Sequence, residues 1–373
     1  MEFGLSEEQQ LLQESVERFL DERVPTSRVR QVSEEATAFD EPAWTGLADL
    51  GAVGCLAPES HGGSGLSLLD AAVVAQALGR SATPAPFLGT AVLATLAFRE
   101  AASAAQQATW LPELASGEKR IGVAITEHAG SDPDATVVLL DGRLHGDALF
   151  VLDGGAADAY LVACASGDLC VVTRDTAGLE YRDMPTVDRT RRVGELRFEG
   201  ARPEERLGTG SRATVERLLA AGRIILAADA LGVCDRALAL AVDYAGQRKQ
   251  FGRVIGSYQA VKHMCAEMAA AIEPARSFLW YAAHAFDAAP KEGPFLACLA
   301  KANLNDVATD VVRSATEVHG GIGFTDEYDL HLWFKRAGLD RQLLGGPVSL
   351  RRRAAELQGL VAAMPRHESG QTP

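Results

Sequence analysis

The sequence predicts an α+β protein in three successive parts, because the spacing of its apolar residues changes character twice along the chain. Up to about residue 118 apolar side chains recur at helical spacing. From Ile121 to about 208 they come in short Val, Leu and Ile runs broken by Asp-Gly and Gly-Gly pairs, and after Gly210 the helical period returns. The expected parts are an N-terminal helical domain over 1–118, a middle β-barrel or sandwich domain over 119–209, and a C-terminal four-helix bundle over 210–373. At 373 residues the chain also exceeds what a single hydrophobic core usually serves.

Each element follows from a local signal. Ser6 and Gln9 form a capping-box pattern, and Leu12, Val16, Phe19 and Leu20 repeat at helical spacing until Pro25, where the first helix is expected to stop. Further helices are expected around 41–50, 67–80, 87–99 and 103–115, separated by Pro58, the glycine-rich stretch 62–65, Pro84 and Pro86. In the middle part, VVLLDGRLHGDALFVLDGG and AYLVACASGDLCVVT read as strands, with Asp141-Gly142 as the plainest hairpin turn. The run TVERLLAAGRIILAADALGVCDRALALAVDYAGQRK is too long for an ordinary helix unless it packs in a bundle. Four more helices are expected at about 257–286, 294–319, 328–338 and 347–362, followed by a frayed tail.

Composition narrows the function classes. A net charge of −14 argues against nucleic acid, whose binding scales with phosphates neutralised by Lys and Arg. No stretch approaches the ~18–20 apolar residues of a membrane helix. The start MEFGLSEEQQ is acidic where a signal peptide is basic, so a cytoplasmic protein is expected. The six cysteines show no CxxC spacing and read as small buried apolar groups. His128, His263, His319 and His331 do not form a metal set, and GGSGL at 62–66 lacks the closing glycine of a nucleophile elbow.

The most informative run is EVHGGIGFTDEYDLHLWFKRA at 317–337, in which a glycine-rich turn ends one long helix and starts another. Gly320, Gly321 and Gly323 leave the backbone free to take positive φ and to bring N–H groups against a flat or anionic ligand. RKQFG at 248–252 and Gln259 add a guanidinium, which matches phosphate oxygens bidentately, and an aromatic face that packs on a flat ring. With ITEHAGSD at 125–132 and PESHGGSGLS at 58–67, these runs resemble the acyl-CoA dehydrogenase family of flavoproteins, over essentially the whole chain to about residue 360.

The resemblance implies FAD as cofactor and an acyl-CoA thioester as substrate for α,β-desaturation. It also implies an electron-transfer flavoprotein or similar acceptor, and assembly as a dimer or dimer of dimers. In the family, Arg248, Phe251 and Gln259 match residues that hold the diphosphate and adenosine of an FAD belonging to a neighbouring subunit. Glu317, Gly320 and Gly321 fall at the same diphosphate, Glu317 in place of the usual glutamine. Thr126 and Ser131 fall where flavin or substrate is met, in a loop one residue shorter than usual. Phe150 and Leu152 fall where the family lines its flavin, Leu152 replacing a hydroxyl-bearing residue, and Arg223 matches an arginine near the CoA chain.

The family's catalytic glutamate falls on Leu344, and its alternative seat on Gly222, so no catalytic residue is assigned. Asp340, about one turn upstream, is expected to face solvent rather than replace it. These losses lie on the chain's own flavin and substrate face, whereas the residues offered across an interface survive, apart from Glu317. The expectation is therefore a subunit of a heterotetrameric dehydrogenase with a catalytic sister chain, resembling bacterial members that act on bulky thioesters such as steroid side chains. The alternatives are a self-sufficient homo-oligomer with a displaced base, or a flavin-dependent oxidase or oxygenase on the same fold.

Overall fold

The computed structural model describes residues 4–129, 137–208 and 212–362. The N-terminal part contains α1 (Glu7–Arg23), α2 (Thr26–Ser33), α3 (Glu41–Asp49), α4 (Leu68–Ser81), a π-helical segment Phe87–Ala94 running into α5 (Thr95–Ala101), and α6 (Ala104–Ala115). The Ser6–Gln9 capping box forms as its pattern requires, with both reciprocal bonds present. Pro25 does stop α1, but it also stands at φ −59° as the N-cap of α2, a helix its sequence did not suggest. A fixed φ and a missing N–H suit the start of a helix as well as its end.

The middle part is one eight-stranded sheet built from β1 (Ile121–Ala124), β2 (Val138–Leu140), β3 (Arg143–Leu152), β4 (Ala159–Ala163), β5 (Leu169–Thr173), β6 (Leu179–Met184), β7 (Val193–Ala201) and β8 (Glu205–Leu207). The spatial order is β6-β7-β3-β1-β4-β5-β8, with β2 on β3 and a parallel pairing of β1 with β4. Asp141 and Gly142 turn the β2–β3 hairpin at φ 48° and 72°, as expected of a two-residue loop that must match strand twist.

The C-terminal part consists of α7 (Arg212–Gln247), the two-stranded ribbon β9 (Lys249–Gln250) and β10 (Arg253–Val254), α8 (Gln259–Ala288), α9 (Gly293–His319), α10 (Leu330–Gln342) and α11 (Pro347–Leu357). All residues of α7 from Leu218 to Cys234 are buried, Arg223 and Asp229 included, so this helix is enclosed on every side and forms the bundle's axis. Gly79 on α4 and Gly232 on α7 let the two helices cross closely, since a Cβ on either would strike the other's backbone.

A buried charged knot ties the three parts together. Arg336 on α10 donates to both oxygens of Asp229 on α7, at 2.9 and 2.6 Å, and Arg191 from the loop before β7 adds a third bond at 3.0 Å. Arg336 also reaches the Thr83 carbonyl and the Thr190 hydroxyl. Burial works against ionisation of Asp229, but Arg336 and Arg191 outweigh it and hold its carboxyl well below the usual range. Asp340 belongs to the same knot: it is 0% exposed and lies 3.4 Å from Arg191, which corrects the expectation that it faces solvent. Burial first, and then the Asp229 charge, push its carboxyl well above the ordinary value.

Five of the six cysteines are buried, Cys265 being the half-buried exception, and all six are free thiols. Among the described residues no helix is long and apolar enough to cross a membrane, and no cluster of His, Cys, Asp or Glu could hold a metal ion.

Candidate active-site cleft and outward-facing hairpin

The predicted site residues separate into two places. One is a cleft of about 960 Å³ between the sheet and the bundle, lined by Thr126, Phe150, Glu216, Arg223 and the segment from Arg341 through the first turns of α11. The other is the outer end of the bundle, where the 248–252 and 317–324 runs meet.

In the cleft, Phe150 sits at φ 52° within an irregularity in β3 that turns its ring outward, 42% exposed. Thr126 donates its hydroxyl to the Phe150 carbonyl at 3.0 Å. Leu152, two residues on, is 1% exposed, packs in the core and does not line the cleft. Ser131 lies outside the described residues.

Leu344 and Gly222, the positions that the resemblance equates with the two seats of a catalytic carboxylate, are adjacent in space. Leu344 is fully buried at φ 54°, and its Cδ1 would stand 2.5 Å from a Cβ built on Gly222. The leucine thus fills the volume that the mid-helix glycine leaves. Arg223, 3% exposed, donates its Nε to the Leu344 carbonyl at 3.1 Å and approaches Cys298 Sγ at 3.5 Å. Lys301, fully buried on α9, donates to the carbonyls of Asp340 and Gly345, both at 2.9 Å, and so clamps the two ends of the segment carrying Leu344. Burial above all, with help from the Arg223 and Arg341 charges and against the pull of Asp340, brings the Lys301 ammonium down to about 7.

Sequence reasoning missed Glu216, Glu356, Arg352 and Arg353, all of which line the cleft. Glu216 was legible in principle, since it lies two helical turns before Arg223 and hence on the same face of α7. Both carboxylates are occupied: Arg353 pairs with Glu216 at 3.1 Å and with Glu356 at 3.4 Å, and Arg352 holds Glu356 at 3.2 Å.

At the outer end, Phe251 and Gly252 form the tip of the β9–β10 ribbon at φ 52° and 81°, and the Phe251 ring is 93% exposed. Arg248, at its base, receives a backbone bond from Ile255 and gives one to Tyr244. Its exposed guanidinium has no carboxylate partner among the described residues. Gln259 opens α8 and is exposed. Tyr244 stacks on His319 at 4.5 Å, which brings the end of α7, and with it the ribbon, beside the end of α9.

Glu317 is exposed there, one turn before the Gly320–Phe324 turn. Gly320 takes φ 65° and ψ −144°, a region open essentially to glycine alone, but Gly321 and Gly323 do not take positive φ as anticipated. A Cβ on Gly320 or Gly321 would meet only open space, whereas Gly323 is packed against Thr316. Phe324 stands 75% exposed beside them.

Comparison with known proteins matches this architecture. The acyl-CoA dehydrogenase N-terminal domain profile matches residues 6–118 and the C-terminal domain profile matches 208–356. The chain is 35% identical over 348 residues to the acyl-CoA dehydrogenase IpdE2 of Mycobacterium tuberculosis, covering 93% of this chain and 96% of that protein. Among solved structures, it superposes on a chain of the ChsE4-ChsE5 complex of Mycobacterium tuberculosis with a TM-score of 0.89, 28% identity, and coverage of 97% and 100%. A variant of the Tcur3481-Tcur3483 steroid ACAD gives a TM-score of 0.87 and 31% identity, over 95% of this chain and 98% of that one. With both of the family's helical domains present and a relative this similar along nearly its full length, the chain belongs to the acyl-CoA dehydrogenase family of oxidoreductases.

Proposed function

We propose that this chain is the non-catalytic subunit of a heteromeric, FAD-linked acyl-CoA dehydrogenase that α,β-desaturates a bulky acyl-CoA thioester, and that it completes the adenosine half of an FAD site held by a catalytic sister chain. Leu344 carries the reading. Its buried side chain occupies the seat of the base, and Gly222 leaves the alternative seat without a side chain.

The outward-facing residues fit an adenosine diphosphate. Arg248 offers a guanidinium without a carboxylate partner, Phe251 an exposed ring, Gln259 an exposed amide, and Gly320 and Gly321 a backbone that a flat or anionic group can approach. Glu317 is the one anion in this set and would have to be offset by Arg248. The inward residues fit an isoalloxazine poorly, since Leu152 is turned into the core and the Thr126 hydroxyl already donates to the Phe150 carbonyl. FAD, if bound, would supply the hydride acceptor for Cβ of the acyl chain, and a carboxylate would be needed to take up the α-proton. In this reading that carboxylate belongs to the sister chain, and the present chain binds and orients the adenosine diphosphate end of the dinucleotide.

Two structural neighbours, the ChsE4-ChsE5 complex and the Tcur3481-Tcur3483 steroid ACAD, are each named for a pair of chains and one of them for a steroid, which supports a heteromer and a bulky acyl group. Division into domains at 118 and 209, a cytoplasmic setting and an electron-transfer flavoprotein or similar acceptor complete the reading. Its test is purification of the chain alone and again with the sister chain. A colourless protein that turns yellow and active on mixing is expected. A yellow, fully flavinylated homotetramer that desaturates an acyl-CoA by itself would overturn it.

One observation favours a second reading, in which the chain is self-sufficient. Glu216 is a carboxylate in the cleft on the face of α7 that carries Arg223, and it would serve as a displaced base if Arg353 released it.

A further inference from the structure

We infer that the cleft of this chain is a binding site for a ligand bearing a carboxylate, which pairs with Arg223 and is held there without being turned over. The lack of turnover rests on the proposed function above; the pairing itself rests on the balance of charge in the cleft.

Four arginines line the cleft. Arg341 is neutralised by Asp306 at 2.6 Å, Arg353 by Glu216 and Glu356, and Arg352 by Glu356. Arg223 is the exception. Among the described residues it meets no carboxylate, only the Leu344 carbonyl and the Cys298 sulfur, although it is 97% removed from solvent at 3% exposure.

The other two strongly buried arginines, Arg191 and Arg336, are both paired with Asp229, so this fold does supply counter-charges to guanidiniums it buries. A buried charge without a partner is costly, and a guanidinium fork takes a carboxylate bidentately. Lys301, behind the segment that carries Leu344, is engaged by two backbone carbonyls and offers Arg223 no counter-charge. A neutral thioester carbonyl would not balance that charge. The cleft lining also includes the apolar Phe150, Leu339, Leu343, Pro347 and Leu350, so the body of the ligand is expected to be hydrophobic. The carboxylate has two possible sources: a free carboxylic acid, or the far end of a dicarboxylic acyl chain carried as a CoA thioester.

The test is calorimetric titration of the full chain with decanoate, decanol, decanoyl-CoA and the mono-CoA thioester of decanedioic acid, repeated on Arg223→Gln and Arg223→Lys. Expected is decanoate binding at least about tenfold tighter than decanol, an advantage lost in Arg223→Gln and partly kept in Arg223→Lys. If instead the advantage appears only for the decanedioyl thioester over decanoyl-CoA, the carboxylate is the one carried on CoA, and the inference stands. Equal binding of acid and alcohol by the native chain together with no gain from the second carboxylate, or an acid preference that survives in Arg223→Gln, overturns it. Thermal melting of both variants verifies folding, with Arg223→Lys as the informative variant if Arg223→Gln fails to fold. Visible flavin absorbance of the same samples reports separately on the proposed function, so failure of one reading does not mimic failure of the other.

Discussion

Leu344 and Gly222, far apart in sequence, occupy one shared volume: a Cβ on the glycine would stand 2.5 Å from Cδ1 of the leucine. A mid-helix Gly→Ala change ordinarily gains up to about 1 kcal/mol from helix propensity. Here overpacking of roughly 1–3 kcal/mol opposes it, so Gly222→Ala is expected to destabilise on balance. Leu344→Ala should cost roughly 2–5 kcal/mol through the cavity it leaves. The double variant should lose less than the sum, because each change relieves the other. Urea denaturation of all four proteins measures this, and strict additivity would show that the two side chains do not compete for space.

Phe251 contributes almost nothing to the isolated fold, since its ring is 93% exposed. Phe251→Ala should leave unfolding free energy within about 0.5 kcal/mol of the native chain. Mixed with the sister chain, the same variant should retain flavin at least about tenfold more weakly, as for an aromatic anchor removed from an interface. Unchanged flavin retention would remove the hairpin from the cofactor site.

Asp229 and Asp340 share the buried knot but play unequal parts. Asp229→Asn takes the counter-charge from Arg191 and Arg336 and should cost roughly 3–5 kcal/mol. Asp340→Asn should cost far less, because burial and the Asp229 charge push its carboxyl upward and so favour the neutral form that asparagine resembles. The folded chain then holds a proton that the unfolded chain releases above the ordinary value of 3.8, so this group's contribution falls as pH rises through that window. Denaturation profiles from pH 4 upward should lose that component in Asp340→Asn, and equal losses for the two asparagine variants would contradict the assignment.

For Lys301 the sign is the reverse. Its folded value of about 7 lies below the ordinary 10.5, so between these pH values the unfolded chain binds more protons and stability rises with pH. Lys301→Met should flatten that rise while loosening the segment between Asp340 and Gly345, whose carbonyls lose their donor. Urea midpoints at several pH values across the window decide it; identical slopes in the two proteins would rule out the shifted ammonium.

Glu216→Gln discriminates between a non-catalytic and a self-sufficient chain. If the base is the sister chain's, as proposed, turnover in the assembled heteromer should change less than about twofold. A loss on the order of 100-fold or more, the usual effect of removing a general base, would point to Glu216.

The fold was legible where it depended on period and punctuation: the Ser6 cap, the Asp141-Gly142 turn and the length of α7 all follow from neighbouring residues. Pro25 shows the limit, because a residue that ends one helix begins the next equally well. In the cleft, the substitutions at 222 and 344 could be seen along the chain, but not that one side chain fills the place of the other. Asp340 was misread for a related reason: Arg191, the cation 3.4 Å away, comes from the loop before β7, and the like charge of Asp229 comes from α7, so the burial of this carboxyl is decided by distant segments. Leu152 shows the converse, a position aligned with a flavin contact whose side chain the strand directs into the core.

Phe251 and Phe324 leave two aromatic rings in water at one end of the bundle, at 93% and 75% exposure. Apolar groups displayed together in this way favour self-association when nothing covers them. Chains produced in excess of whatever shields these rings would be prone to aggregate and to be cleared by proteases. In the proposed heteromer, the ratio at which the two polypeptides are synthesised would then govern how much usable protein accumulates in the cell.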